Sequence, residues 1–137
     1  MAKFTIKDEG TWFYFDESDH TQGGVRLRLL TPLEEDVIER KVTKVSQKPH
    51  RGLMVESRKT NTALRNEMLY TKWIMDWKDI ILDDKVLECN QINIMLMMTK
   101  VTPFARFVLD KILDLGEEHV KDEEAQTKNS ESSSSGG

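Results

Sequence analysis

The stretch Thr31-Pro32-Leu33-Glu34 constrains the fold most, because it fixes the start of a helix at one point of the chain. Thr31 can cap the helix, Pro32 takes the first helical position, where its missing N–H is not needed, and Glu34 completes a capping box. Residues 25–30, directly before it, alternate apolar and basic side chains, which is typical of a half-buried strand. The sequence therefore predicts a mixed α+β fold.

A second strand is predicted over residues 12–15, which are all aromatic. Residues 16–24 are rich in turn-forming residues, so we expect the two strands to form an antiparallel hairpin with a loose loop. In this hairpin, the alternation places Arg26 and Arg28 on the solvent-facing side.

A bundle of about four helices is expected after the hairpin, over residues 31–45, 61–77, 90–98 and 102–116. Asn90 can cap the third helix, and Gly116 is the natural end of the fourth. Residues 47–60 contain Pro49 and Gly52 and few apolar side chains, which predicts a polar loop with at most a short strand at residues 53–55. Residues 83–85 are expected to form a turn between two short apolar segments.

The chain is expected to consist of one globular domain and a tail. With 137 residues it can bury one hydrophobic core, which we assign to residues 1–116. Residues 117–137 are acidic and rich in Ser and Gly, which predicts a disordered tail, either a natural linker or an expression remnant.

The distribution of charge argues against a nucleic-acid partner. Residues 117–137 hold two Lys against six acidic residues, so this tail accounts for the whole formal charge of −4 and the body is close to neutral. A near-neutral body is a poor ligand for a polyanion, since nucleic-acid affinity comes largely from clustered Lys and Arg. A membrane partner is not expected either, because no apolar run approaches about 20 residues.

No catalytic, metal or cofactor site is expected from the sequence. The single cysteine, Cys89, has no basic or histidine neighbour, is interpreted as a small buried hydrophobic residue, and fits a reducing compartment. Four aspartates at residues 76, 79, 83 and 84 lack the alternation and the glycine of a calcium-binding loop. The three histidines have no spacing that places two on one face: His20, His50 and His119.

The run Ile94-Met95-Leu96-Met97-Met98 has two interpretations. Consecutive apolar residues favour a fully buried helix, whereas methionine is also the flexible side chain of surfaces that accept varied apolar helices. In the second interpretation, an apolar groove holds the amphipathic helix of a partner. The residues assigned to that groove are Met95, Met97, Met98, Phe104 and Phe107.

Residues 40–59 contain seven basic residues and one acidic residue. They are interpreted either as a patch for an anion or acidic partner, or as a helix end followed by a solvated loop, since bases near a helix C-terminus match the helix dipole. The candidate patch residues are Arg40, Lys44, Lys48, Arg51 and Arg58.

Residues 24–116 resemble the tail assembly chaperones of long-tailed bacteriophages. The resemblance rests on the order of several small motifs rather than on one signature. The motifs are Val25-Arg26-Leu27-Arg28-Leu29-Leu30-Thr31-Pro32, then Asp76-Trp77-Lys78-Asp79-Ile80-Ile81-Leu82-Asp83-Asp84 followed by Cys89, and then Pro103-Phe104-Ala105-Arg106-Phe107-Val108.

The resemblance implies a small, mostly helical, non-enzymatic protein. Such chaperones bind the hydrophobic tape measure protein in the host cytoplasm and keep it soluble until tail tube subunits assemble around it, so they are absent from the mature virion. The implied partners are the tape measure protein, the tail tube protein, a frameshifted longer form of the chain and further copies of the chain itself. Two alternatives stay open: a virion structural protein (a tail-completion or connector subunit), or a small regulator that binds a host protein or nucleic acid through residues 40–59.

Overall fold

The computed structural model describes Ala2 and residues 9–135, with side chains as far as residue 120. In this part of the chain, the strands and helices confirm the predicted α+β class. In chain order they are β1 (Thr11–Tyr14), β2 (Gly24–Leu27), α1 (Pro32–Val42), β3 (Thr43–His50), β4 (Leu53–Thr60), α2 (Thr62–Trp73), β5 (Ile74–Lys78), β6 (Ile81–Leu82), β7 (Lys85–Val86), α3 (Gln91–Lys100) and α4 (Thr102–Ser135).

A three-stranded antiparallel sheet in the order β1-β2-β5 forms the base of the fold. The hairpin of β1 and β2 confirms the prediction, with Phe13 opposite Val25. Strand β5 replaces the last turn of the helix that was expected to reach Trp77. The change occurs at Ile74, which pairs with Leu27 of β2 and thereby continues the sheet.

One face of this sheet packs against α3 and α4. Directly paired residues share a face of a sheet, so Val25, Leu27 and Trp77 point together into the core. The core is completed from the loop after β5 and from the two helices, and its most buried members are Val25, Leu27, Ile74, Trp77, Ile80, Ile94, Met97, Met98, Phe104, Val108 and Ile112.

Arg26 lies on the face of the sheet away from the core, as predicted, but Arg26 and Arg28 are both half-buried rather than fully exposed to solvent. The guanidinium of Arg26 lies 5.9 Å from the ring centroid of Trp12 on the outer face of the sheet. Arg28 instead forms a two-pronged ion pair with Glu34, at 2.7 and 2.8 Å. The apolar stem of each arginine is thus covered by a neighbouring part of the fold.

Helices α1 and α2 pack side by side, and a β-ribbon of β3 and β4 extends from their ends. The capping box of Thr31 and Glu34 is confirmed. The polar loop expected over residues 47–60 is wrong, because β3 and β4 pair along eight residues each. Their two-residue turn is formed by Arg51 and Gly52, both with positive φ.

The predicted turn near residues 83–85 is confirmed, since Asp83 and Asp84 connect β6 to β7. Helix α4 does not stop at Gly116 as expected, because residues 117–120 continue it. The rest of the predicted tail, residues 121–137, lies outside the residues whose side chains are described. Within the described residues, no single helix is long and apolar enough to span a bilayer; α3 and residues 102–120 reach that length only as a pair bent by 102°.

Candidate functional site

An open apolar cleft of about 440 Å³ lies where the loop after β1, the turn after β5 and the start of α4 meet. Its size falls within the range of sites that accept a small molecule or a few side chains of a partner. Its lining residues are Phe15, Gln22, Asp79, Ile80, Ile81, Met97, Pro103, Phe104 and Phe107.

Three aromatic rings build one wall of the cleft. The ring of Phe15 lies 4.6 Å from that of Phe107 and 6.1 Å from that of Phe104, measured between centroids. Phe104 in turn meets Trp77 edge-on at 5.7 Å, which connects this wall to the core. Tilted and edge-on aromatic contacts of this kind fix ring orientation, so the wall is held in place before any partner binds.

The opposite wall comes from the turn between β5 and β6. Asp79 has a φ of 55°, which turns the chain sharply and directs Ile80 into the core while Ile81 stays 62% exposed. The N–H of Leu87 donates to the carbonyl of Ile80 at 2.8 Å, and the indole N–H of Trp77 donates to the carbonyl of Leu87 at 2.9 Å. These two bonds tie the turn to the sheet.

Two helices that meet at a sharp bend, α3 and α4, both contribute residues to the cleft. Helix α3 begins at its predicted cap, where Asn90 accepts from the N–H of Asn93 at 2.9 Å. It ends at Lys100, and α4 leaves at 102°. Met97 of α3 thereby lines the cleft together with Phe104 and Phe107 of α4.

Only part of the predicted groove exists as such. Met97 and Phe104 are buried, at 4% and 5% exposure, and line the cleft together with half-buried Phe107. Of the other two predicted groove residues, Met98 is buried in the core, and Met95 is not among the residues that line the cleft. Successive side chains of a helix lie about 100° apart, so Met98 points away from the side that Met97 presents to the cleft.

Sequence reasoning missed most of the cleft. Phe15 was placed in a strand and Ile81 in a short apolar segment, without any sign that they meet α4. The available signal was local: Phe15 ends an aromatic run whose alternate members must face the core, and Ile81 precedes a tight Asp-Asp turn. Neither signal identifies a partner across the fold.

The five candidate residues of the basic patch lie on α1 and on the β3–β4 ribbon. Arg40 lies on α1 and pairs with Asp36 at 3.6 Å, while Arg58 on β4 pairs with Glu56 at 3.3 Å. Lys44 and Lys48 lie on β3, and Arg51 forms the tip of the ribbon.

Cys89 is half-buried and packs against the core. Burial raises the pKa of its thiol to about 11, and the nearby carboxylate of Asp76 adds to this shift. The thiol is therefore protonated at neutral pH, which makes it a weak nucleophile. Among the residues described with side chains, no group of three or more His, Cys, Asp or Glu is arranged to hold a metal ion.

In comparisons with known proteins, no protein-family model, no curated protein and no solved structure matches the chain. The function has therefore to be argued from the cleft and from the surface around it.

Proposed function

We propose that this chain is a non-enzymatic binding protein that holds an apolar, helical segment of another polypeptide, in the manner of a tail assembly chaperone with its tape measure protein. One observation carries the proposal: the open cleft, whose walls are the aromatic rings of Phe15, Phe104 and Phe107 on one side and Ile81 on the other.

The chemistry of the cleft suits apolar side chains rather than a reaction. Most of its lining surface is apolar, and Gln22 and Asp79 contribute polar atoms. Filling it with one leucine or phenylalanine of a client removes that side chain from water and stabilises the complex by about 1.5–3 kcal/mol. Two such side chains, spaced one helical turn apart, contribute about 3–6 kcal/mol. A micromolar complex needs about 8 kcal/mol net of the cost of association, so contacts around the cleft have to supply the rest.

Asp79 supplies an acidic side chain to the lining of the cleft. A client segment with a basic residue beside its apolar side chains matches this carboxylate. A charge placed in this way selects a partner more than it adds affinity.

Co-expression tests the proposal with a matched pair of variants. Ile81→Asp places a charge in the cleft wall, whereas Ile92→Asp places the same charge on α3, at a residue that is 80% exposed and outside the cleft. We expect the wild type and Ile92→Asp to co-purify with the tape measure protein encoded in the same genome and to raise its soluble yield. Ile81→Asp should weaken that binding at least tenfold.

Two results contradict the proposal. One is a wild-type protein that neither co-purifies with the tape measure protein nor raises its soluble yield. The other is stoichiometric recovery of this chain from purified virions by mass spectrometry, which indicates a structural subunit instead.

A further inference from the structure

The β3–β4 ribbon has two chemically different faces. Side chains of directly paired residues point to the same side, and successive pairs alternate. One side carries Arg58 and Glu56, which neutralise each other at 3.3 Å. The other side, which we call the lysine face, consists of the pairs Lys44–Lys59, Ser46–Ser57, Lys48–Val55 and His50–Leu53.

The lysine face holds three ammonium groups and no carboxylate. Lys44 lies directly opposite Lys59, and like charges in that position destabilise a strand pair. Within the described residues, none of the three lysines has an ion-pair partner. An anionic occupant placed between them therefore relieves a repulsion that the isolated ribbon retains.

The ribbon also leaves apolar surface in water. On the lysine face, Val55 is 47% exposed and Leu53 is 71% exposed. Both strands are solvent-exposed along almost their whole length, and a two-stranded ribbon of this kind is marginally stable by itself. A binding partner that matches this face therefore has acidic residues for the three lysines and at least one apolar side chain for Val55 and Leu53.

Residues 117–124 of the chain itself have this composition. They contain five acidic residues and one lysine, a net charge of −4, against +4 for residues 43–60. Val120, in the middle of the segment, is 52% exposed on α4. Eight helical residues span about 12 Å, close to the roughly 13 Å between Lys44 and Lys48 along an extended strand.

We propose that the lysine face of one copy binds the acidic helical segment 117–124 of a second copy. If the two copies exchange their acidic segments reciprocally, the contact closes a two-fold dimer. If it forms in one direction only, it is heterologous, and each bound pair keeps one free lysine face and one free acidic segment. Repetition of the one-way contact produces closed rings or open filaments. This inference is independent of the cleft and of the client proposed for it.

Charge reversal on both surfaces provides the test. By sedimentation velocity in 50 mM NaCl, the full chain should exceed the monomer mass, with the assembly at least tenfold weaker in 500 mM NaCl. The ribbon variant Lys44→Glu/Lys48→Glu/Lys59→Glu and the tail variant Glu117→Lys/Glu118→Lys/Glu123→Lys/Glu124→Lys should each be monomeric. A control that matches the charge change of the ribbon variant but lies elsewhere, Lys85→Glu/Lys100→Glu/Arg106→Glu, should assemble like the wild type.

Mixing the two monomeric variants is the decisive measurement. In an equimolar mixture, the acidic segment of the ribbon variant can bind the unchanged lysine face of the tail variant. The basic segment of the tail variant can likewise bind the acidic ribbon of the ribbon variant, so assembly should return. The inference is overturned if the wild type is monomeric at every concentration, or if the mixture stays monomeric. It is equally overturned if a 20-base-pair DNA duplex binds the monomer through the three lysines and the chain does not self-associate.

Discussion

The ion pair of Arg28 with Glu34 should make the stability of this protein depend on pH in a defined window. Its two hydrogen bonds measure 2.7 and 2.8 Å, and Glu34 also accepts from the N–H of Thr31 as part of the capping box. Hydrogen bonds from the Arg28 guanidinium lower the pKa of the Glu34 carboxyl from 4.5 to about 2. The pair thereby holds α1 against the end of β2.

The size of the effect follows from this lowered pKa. A group with a lower pKa in the folded state contributes stability that is fully present above its unfolded pKa and is lost as pH falls through the folded pKa. The shift from 4.5 to about 2 sets an upper limit of about 3.4 kcal/mol. About a quarter of the Glu34 side chain remains in contact with water, so screening reduces the expected contribution to about 1–2 kcal/mol.

Glu34→Gln isolates the charge, because glutamine also completes a capping box. Urea titrations at pH 7 should show a loss of about 1–2 kcal/mol in the free energy of unfolding, a shift in Tm of about 3–8 °C. Between pH 5 and pH 2, the wild type should lose stability more steeply than the variant, and the two curves should converge near pH 2. Equal stability at pH 7, or parallel curves down to pH 2, would refute the reasoning.

Three further results are expected. Leu27→Ala, at a fully buried residue, should lower the free energy of unfolding by about 2–5 kcal/mol in urea titrations. Leu113→Ala, at a residue that is 66% exposed, should change it by less than about 0.5 kcal/mol. Similar losses for the two variants would contradict the assigned core. Gly24→Ala should destabilise the fold, since a Cβ there lies 2.7 Å from a carbonyl oxygen of β1. Gly116→Ala should stabilise the protein by about 0.5–1 kcal/mol, because the residue lies in a helix and a Cβ there meets no other atom. A stabilising Gly24→Ala and a destabilising Gly116→Ala would contradict the surroundings assigned to these two glycines. Alkylation of Cys89 by iodoacetamide in the folded protein should stay slow at pH 7 and accelerate towards pH 11, and a plateau reached by pH 8.5 would show that burial does not control this thiol.

Local signals were sufficient where a few neighbouring residues decide the structure. The capping box at Thr31 and the cap at Asn90 satisfy backbone N–H groups within their own helix turn, so sequence alone locates both helix starts. The alternation in residues 25–30 likewise identified strand β2 and its hairpin with β1.

The β3–β4 ribbon shows where these signals fail. Pattern reading detects a strand because one of its faces is buried, but both faces of this ribbon are exposed and carry no apolar alternation. The packing of α1 against α2 brings the two chain ends together: the N–H of Asn61 donates to the carbonyl of Val42 at 2.8 Å, and Thr43 pairs with Thr60. Strand pairing then continues outward from that point.

By itself, the sequence determined the fold class, the helix starts and the presence of an apolar, methionine-rich segment near residue 96. Only the tertiary structure decided that Met98 belongs to the core, and that Phe15, Ile81 and Phe107 line one cleft. Caps and alternation depend on contacts a few residues apart, which the order of residues encodes directly. The cleft depends on the 102° bend between α3 and α4 and on a turn held by the sheet, and these positions exist only once the core has packed.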